Sequence, residues 1–225
     1  MSRLVPSLAL ATLVAGLGWA SPAAAASQWD GWYGGVSAGL DKENLPATVW
    51  DDGTLTSRKV DNQGLAYKAL IGYHFNPYLS VEVSFAHFQD SKFRGFEPNT
   101  VSTFWQQGPV YGEARAKGVG LAGVVAWPFL KRRFALLAEG GWYFWDTTTI
   151  ALPTVAGGTL ALGNEQYVHD DGVSWLYGAG VEMRLAQRWH VRLEWEQTTV
   201  AFNGVFANNR DRGVAFPNLG VTLDF

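Results

Sequence analysis

The chain of 225 residues contains 17 Lys and Arg against 20 Asp and Glu, and its net charge of -3 gives no basic field for nucleic acid. It has no cysteine, which excludes disulfide cross-links, and beyond its amino-terminal segment no apolar run is long enough for a transmembrane helix. Aromatic residues make up 14% of the chain and mean hydropathy is near zero, as in proteins that cross a membrane with strands.

Residues 1–26 have the three parts of a secretory signal peptide. Arg3 supplies the basic start, an apolar run extends from Leu8 to Ala20, and the small residues of Ser21–Ala26 suit a signal peptidase. The apolar run is 13 residues long, shorter than the roughly 20 that a spanning helix needs. We therefore expect cleavage near residue 26, which leaves residues 27–225 as one domain. An uncleaved membrane anchor is the alternative.

Alternation of apolar and polar side chains predicts eight strands, most of them as long as the roughly 9 to 11 residues that a tilted strand needs to cross a bilayer. The predicted strands are Trp32–Leu40, Gly64–Phe75, Leu79–Gln89, Glu113–Trp127, Phe134–Thr148, Val173–Leu185, Trp189–Val200 and Val214–Phe225. Short turns are predicted at 76–78, 130–133 and 186–188, and polar loops at 41–63, 90–112, 149–172 and 202–213. Such asymmetry is typical of outer-membrane barrels.

The two faces of the predicted strands differ in chemistry. In the seventh strand the apolar face carries Trp189, Val191, Leu193 and Trp195, and the polar face carries His190, Arg192, Glu194 and Glu196. A soluble β-sandwich would alternate in the same way, but aromatic residues at the strand ends favour a membrane barrel with two interfacial girdles. The predicted periplasmic girdle contains Phe75, Trp127, Phe134, Trp189 and Phe225. The predicted outer girdle contains Phe144, Trp145, Trp175 and Phe216.

The last predicted strand ends on an aromatic residue. Its spacing of a polar residue, a glycine two places on, and hydrophobic residues third-last and last resembles the terminal assembly signal of bacterial outer-membrane barrels. The matching residues are Asn218, Gly220, Leu223 and Phe225. We expect this strand to pair with the first strand near Trp32 and to close a barrel to which nothing is appended.

Residues 29–35, 72–82, 177–185 and 189–195 resemble the opening strand, the first hairpin and the penultimate hairpin of small OmpA-like and opacity-type outer-membrane barrels. The resemblance covers essentially all of residues 27–225. It implies an all-β fold, an eight-stranded antiparallel up-and-down transmembrane barrel, in the outer membrane of a Gram-negative bacterium. The implied partners are outer-membrane lipid, lipopolysaccharide, and the barrel-assembly machinery acting on the last strand; no nucleic acid is implied. The class hosts structural, adhesive, permeability and enzymatic proteins, so it leaves the function open.

The polar face supplies a candidate site. If Leu185 pairs with Trp189 across the turn, Glu182 lies opposite Arg192, Arg184 opposite His190, and Gly180 opposite Glu194. We expect a lumenal charge network close to Asp224, made of Lys68, Glu82, Glu139, Glu182, Arg184, Arg192, Glu194 and Glu196. Because eight strands leave an interior that side chains just fill, we interpret the network as a plug of ion pairs rather than a cation-selective pore.

Catalytic and metal sites are disfavoured by the sequence. Lipid A-modifying enzymes occur on this scaffold, but a deacylase requires a His-x-Ser pair that the chain lacks. The nearest substitute, His87 with Ser84 and Glu82, is divided between the two strand faces. The triplet at residues 169–171 could bind a metal, yet three adjacent side chains of an extended stretch do not converge on one point. We expect no catalytic residues, no metal and no cofactor.

The leading hypothesis is a non-catalytic envelope protein with a structural or adhesin-like role, whose loops contact a possible extracellular partner. The predicted loops carry the aromatic residues Trp50, Phe93, Phe96, Phe104, Trp105, Tyr111 and Phe206. These rings either extend the strands above the bilayer, which is the simpler interpretation, or form a binding surface. The alternative function is a narrow channel for small apolar molecules. Leu70, Leu137 and Leu176 on the lumenal face suggest it, and the charged plug opposes it.

Overall fold

The computed structural model describes residues 31–225 except 44–46, 52, 62, 99–104, 106, 153–165 and 203–209, and this part of the chain forms one sheet of ten strands. They are β1 (Gly31–Glu43), β2 (Thr56–Asp61), β3 (Gln63–Asn76), β4 (Leu79–His87), β5 (Ser91–Glu97), β6 (Gly108–Phe129), β7 (Phe134–Leu152), β8 (Gln166–Arg184), β9 (Trp189–Phe202) and β10 (Arg210–Asp224). A short 3-10 helix spans Ala47–Val49. Among the described residues, no helix is long and apolar enough to cross a membrane. The predicted signal peptide lies outside the described residues.

Eight of these strands close into a ring, which confirms the predicted fold. β6 pairs with both β4 and β7 and so joins the ends of the order β6-β4-β3-β1-β10-β9-β8-β7, with every pair antiparallel. The short turns lie where the sequence predicts them. β10 pairs with β1, and the amide of Phe225 donates a hydrogen bond to the carbonyl of Trp32 at 2.9 Å. The last strand therefore closes the barrel at the predicted place.

The strand register fixes the tilt of the barrel. A path through paired residues around the ring leaves β6 at Lys117 and returns to it at Trp127, ten residues further along. With a rise of about 3.3 Å per residue and strands about 4.8 Å apart, this shear tilts the strands by about 40° from the barrel axis. An eight-stranded barrel of this kind has an interior that is just wide enough for side chains.

The outward face of the ring is an apolar band with a sharp outer border. On β4, β6, β7 and β8 the last apolar row consists of the paired residues Phe85, Val119, Phe144 and Val173. Two residues further from the periplasm on each strand, the first polar row consists of His87, Lys117, Asp146 and Asp171. A change from apolar to charged side chains over two residues marks the outer edge of the lipid-facing surface.

The aromatic girdles differ from the prediction on one side only. The periplasmic set lies on the outward face as expected. In the outer set the prediction was wrong for Trp145 and Phe216, which are 8% and 2% exposed and lie in the core. Neighbouring side chains of a strand point to opposite faces, so Trp145 points inward because Phe144 points outward. On the outward face, where Trp145 was predicted, Trp142 stacks on Trp175 with ring centroids 5.6 Å apart.

Several strands continue outward beyond the apolar band on one side. β6, β7 and β8 are 22, 19 and 19 residues long, whereas β4 has 9. β5 follows β4 after a short break and pairs with β6, and β2 leads into β3 and pairs with β5. We call this five-stranded part the upper sheet; it comprises β2, β5 and residues 108–117, 146–152 and 166–172.

The loop predictions were wrong where the upper sheet lies. Strands β2 and β5 lie within the predicted loops 41–63 and 90–112, and β6 begins at Gly108 rather than at Glu113. The physical reason is the change of solvent. Outside the lipid, outward side chains such as Arg94 and Arg115 are polar, so the strands lose the apolar alternation that a lipid-facing strand must have.

Candidate functional site: the filled lumen

Arg192 of β9 is the centre of a charge network at the periplasmic end of the lumen. Its Nη1 donates a hydrogen bond to Oε1 of Glu82 at 2.5 Å, and its Nε donates to Oε2 of Glu182 at 2.6 Å. The hydroxyl of Tyr33 donates to the same oxygen of Glu82 at 2.6 Å, and the guanidinium lies 5.3 Å from the centre of the Tyr33 ring. Charge-assisted hydrogen bonds thereby join β1, β4, β8 and β9 across the interior.

His190 extends this network to the last strand. Its Nδ1 lies 3.0 Å from Oε1 of Glu182, and its Nε2 lies 3.0 Å from Oδ2 of Asp224. The other oxygen of Asp224 is 3.8 Å from Nε2 of His74, whose ring stacks on Tyr33 at 4.1 Å. Because carboxylates hold both nitrogens of His190, neither nitrogen is available to take a proton from a substrate.

A second cluster surrounds Lys68 of β3, further from the periplasm. Its Nζ lies 2.6 Å from Oε1 of Glu196 and 3.4 Å from Oε2 of Glu194. The side-chain amide of Asn218 donates a hydrogen bond to the same Glu196 oxygen at 2.7 Å. Glu194 also lies 3.7 Å from Nη1 of Arg192, so it links the two clusters.

The structure places all eight predicted network residues on the lumenal face. It brings six of them into contact: Lys68, Glu82, Glu182, Arg192, Glu194 and Glu196. Glu139 faces the same lumen, but its Oε1 has no hydrogen-bond partner among the described residues. Arg184 lies at the periplasmic end, opposite His190. The register predicted from the turn between β8 and β9 is the register found.

Two members of the network were not predicted as such from the sequence. Tyr33 was not assigned to the network, and Asn218 was predicted only as part of the assembly signal. Tyr33 is fully buried while its neighbour Trp32 is exposed, so strand alternation was the signal that could have found it. Of the other predicted signal residues, Gly220 faces Ser37 inside the barrel, and Phe225 is exposed on the outward side. Their role in assembly stays a prediction.

Glycines on the polar face make room for the network. A Cβ on Gly72 would lie 2.3 Å from Cζ of Tyr33, and a Cβ on Gly180 would lie 2.8 Å from Cγ of Glu194. Carbon atoms do not approach so closely, so these positions are glycine because large polar side chains cross above them. The interior is therefore packed rather than open.

Further toward the outside the lumen becomes apolar. Phe88 packs against Tyr143 and Phe216 with ring centroids 6.1 and 5.9 Å apart, beside Leu176. The void among them is about 10 Å³, roughly the smallest space that holds one water molecule. In the periplasmic half, a void lined by His190, Arg192 and Asp224 is about 30 Å³. Within the described residues, each of these two voids therefore has room for only a few water molecules.

The same apolar cluster continues onto the inner face of the upper sheet. The Nε1 of Trp50 donates a hydrogen bond to the carbonyl of Ile150 at 3.3 Å, and the Nε1 of Trp105 donates to the carbonyl of Trp50 at 3.2 Å. Phe93 stacks on Trp50 at 5.1 Å. Three of the predicted loop aromatics are therefore core residues. Phe96 and Tyr111 are exposed on strands, while Phe104 and Phe206 lie outside the described residues.

The histidines considered for catalysis or metal binding lie on the outward surface. His87 contacts the Tyr67 ring at 5.1 Å, whereas Ser84 and Glu82 are buried on the opposite face of β4. His169 lies 3.4 Å from Asp146 across β7 and β8. Among the described residues, no three His, Cys, Asp or Glu side chains are grouped so that they could hold a metal ion.

A closed eight-stranded barrel with an apolar outer band, aromatic girdles and a charged interior defines the class of outer-membrane β-barrel proteins. Residues 9–225 match the family described as the outer membrane protein beta-barrel domain, and the chain belongs to that family. The protein is therefore located in the outer membrane of a Gram-negative bacterium.

Relatives agree with this assignment. Outer membrane protein A of Salmonella typhi is 27% identical over 190 residues, which cover 84% of this chain and 47% of that protein. Outer membrane protein A of Escherichia fergusonii is 26% identical over 218 residues, which cover 96% and 55%. The chain spans about half the length of these curated relatives. Neither name describes an enzyme.

Two solved structures share the fold. Neisserial surface protein A has a TM-score of 0.53 at 8% identity, with 86% of this chain and 97% of that chain covered. OprG from Pseudomonas aeruginosa has a TM-score of 0.51 at 11% identity, with 88% and 98% covered. At these identities the likeness shows the fold alone.

Proposed function

We propose that the protein is a non-catalytic envelope protein, in which a filled barrel anchors the upper sheet at the cell surface for a structural or adhesin-like role. The observation that supports this is the continuous filling of the lumen. Ion pairs around Arg192 and Lys68 occupy the periplasmic half, and apolar rings occupy the outer half. Conduction would require both layers to move.

Exposed aromatic side chains support a surface-interaction role. Phe96, Tyr111 and Tyr167 are 42%, 40% and 61% exposed. They project from strands of the upper sheet rather than from irregular loops, so little conformational entropy is lost when they contact a partner. Aromatic side chains held rigidly in this way are common anchors of protein interfaces.

Conductance in planar bilayers tests the filled lumen. We expect no large, steady single-channel currents, and such currents would contradict the proposal. Gel migration of unboiled against boiled samples from the same membranes serves as the control, because a folded barrel shifts on boiling.

Adherence of cells that carry the Phe96→Ser, Tyr111→Ser double variant tests the adhesin-like role. Adherence equal to wild type would leave only the structural role.

The second candidate is a narrow channel for small apolar molecules. Leu70, Leu137 and Leu176 face the lumen, and the apolar cluster runs from Leu176 toward the outside. The void of about 10 Å³ would have to widen by far more than one side chain to pass a solute. Faster uptake of small apolar solutes into vesicles that contain the protein would favour this candidate. A changed lipid A mass spectrum after overproduction would favour an enzyme instead.

A further inference from the structure

Two cations lie side by side on the outward face of the upper sheet. Lys59 of β2 is directly opposite Arg94 of β5, and like charges in this position destabilise a sheet. Among the described residues, neither side chain has an ion pair with a carboxylate, and the Arg94 guanidinium lies 5.9 Å from the centre of the Tyr111 ring. We call Lys59 and Arg94 the cationic surface. Carboxylates from outside the molecule would relieve its repulsion.

Two carboxylates form the reverse arrangement on β7 and β8. Asp146 is directly opposite Asp171 on the outward face, and we call these two residues the anionic surface. Asp146 lies 3.8 Å from Lys117 and 3.4 Å from His169. The carboxylate of Asp171 has neither an ion pair nor a hydrogen bond among the described residues; only its backbone amide donates one. Lys117 therefore compensates one of the two negative charges and leaves the other.

The two surfaces stand at similar heights outside the lipid. Tyr111, which pairs with Arg94, is eight residues beyond Val119 of the last apolar row, and Asp171 is two residues beyond Val173 of the same row. With the strand tilt of about 40°, the cationic surface lies about 14 to 17 Å above Val119 and the anionic surface about 8 to 11 Å above it. Long, flexible Lys and Arg side chains can span the difference.

Within one copy the two surfaces point in different directions. β5 and β2 continue the positions of β4 and β3 outward, so the cationic surface lies above those two strands, whereas the anionic surface lies on β7 and β8. Three strand positions separate the two pairs in a ring of eight, which places the surfaces about 135° apart around the barrel. They cannot neutralise each other in one copy. In two copies side by side in one membrane, the cationic surface of one faces the anionic surface of the other.

We propose that copies of this protein associate in the outer membrane through these surfaces, with Lys59 and Arg94 of one copy contacting Asp146 and Asp171 of the next. A second copy is the partner that fits, because it inserts with the same orientation and brings opposite charge to a similar height. The two surfaces differ, so the contact is heterologous, and each added copy leaves one surface of each kind free. Association therefore continues into curved rows. This goes beyond the proposed function, which requires only a single folded barrel.

Energy transfer between labelled copies in phosphatidylcholine vesicles tests the proposal. The chain has no cysteine, so Gln187→Cys in an exposed periplasmic turn takes a single donor or acceptor dye. At low salt and without divalent cations, we expect more transfer than randomly placed copies give, and added salt should lower it. Lys59→Glu, Arg94→Glu should weaken association by at least about tenfold, because like charges then meet. Asp146→Lys, Asp171→Lys should do the same. A chain with all four substitutions should associate like wild type.

The matched control is Lys131→Glu, Arg133→Glu, which makes the same charge change on exposed side chains of a periplasmic turn and should associate like wild type. Random transfer in the wild type overturns the proposal. So does undiminished association of either double variant, or no recovery in the chain with four substitutions. Transfer that requires added Mg²⁺ would assign the carboxylates to a bridging cation and also overturns it.

The boiling-dependent gel shift verifies that each variant is folded, since all the substituted side chains lie on the outward face or in a turn. Energy transfer is independent of conductance. Large currents would refute the filled lumen without touching the contact between copies.

Discussion

The periplasmic and outer halves of the lumen are filled by opposite chemistry. Around Arg192 and Lys68 the polar contacts are ion pairs and hydrogen bonds, whereas around Phe88 and Phe216 apolar side chains pack against one another. Removing one partner from the first half leaves a buried charge, while removing one from the second leaves a cavity. A narrow barrel can therefore be filled by either means, and the two halves respond differently to the loss of one side chain.

The largest expected effect comes from breaking the charged half. Arg192→Met removes the cation that neutralises Glu82 and Glu182, and breaking a buried pair in this way costs about 4 kcal/mol of the free energy of unfolding. Urea unfolding in lipid vesicles, followed by tryptophan fluorescence, measures the loss. Adding Glu82→Gln and Glu182→Gln to the same variant should recover part of it. Unfolding of Arg192→Met at the wild-type urea concentration would show that the network does not hold the barrel together.

How much of this site the sequence predicts depends on the distance between partners along the chain. Glu182 and Arg192 are joined by a tight turn, so local register suffices to pair them. The contact of Arg192 with Glu82 crosses the interior between strands that are not neighbours, and it depends on the shear of the closed ring. No local pattern encodes that shear, although alternation does indicate that both side chains face inward.

For the fold, the sequence predicts the eight strands of the ring but not β2 and β5 of the upper sheet. Eight strands are visible in the sequence because lipid on one face imposes apolar alternation. β2 and β5 have water on their outward face, so Lys59 and Arg94 stand where an apolar residue would otherwise mark a strand. Their pairing is visible only in three dimensions. Aromatic content alone is likewise insufficient, since Phe216 was predicted for the girdle and lies in the core.

Phe216→Ala removes a ring from the apolar half of the lumen. Phe216 is 2% exposed among apolar side chains, so truncation leaves a cavity and costs about 3 kcal/mol. Phe144→Ala is the matched control, because this ring is 49% exposed on the outward face. The same urea titration in vesicles should separate the two variants by more than the experimental error. If both lose equal stability, Phe216 behaves as a girdle residue and the core assignment fails.

Gly72→Ala tests how tightly the charged half is packed. The added methyl group would lie 2.3 Å from Cζ of Tyr33, so the ring must move away from Glu82, at a cost of about 2 kcal/mol. Gly140→Ala is the control, because a Cβ there meets nothing within 4 Å. The measurement is the urea concentration at the unfolding midpoint, compared between the two variants. A Gly72→Ala midpoint equal to that of Gly140→Ala would mean that Tyr33 has room to shift.

The smallest effect is expected from an ion pair on the outward surface. Arg115 lies 3.0 Å from Glu113 and 3.2 Å from Asp90, but its side chain is 51% exposed, against 3% for Arg192. Water solvates the carboxylates when Arg115→Met removes their partner, so the loss should stay below about 1 kcal/mol. Salt should shrink it further, whereas the cost of Arg192→Met should be insensitive to salt. Unfolding at 0.05 and 0.5 M salt, values on either side of about 0.15 M physiological strength, checks both statements. A salt-independent loss at Arg115 as large as that at Arg192 would show that burial does not separate the two kinds of pair.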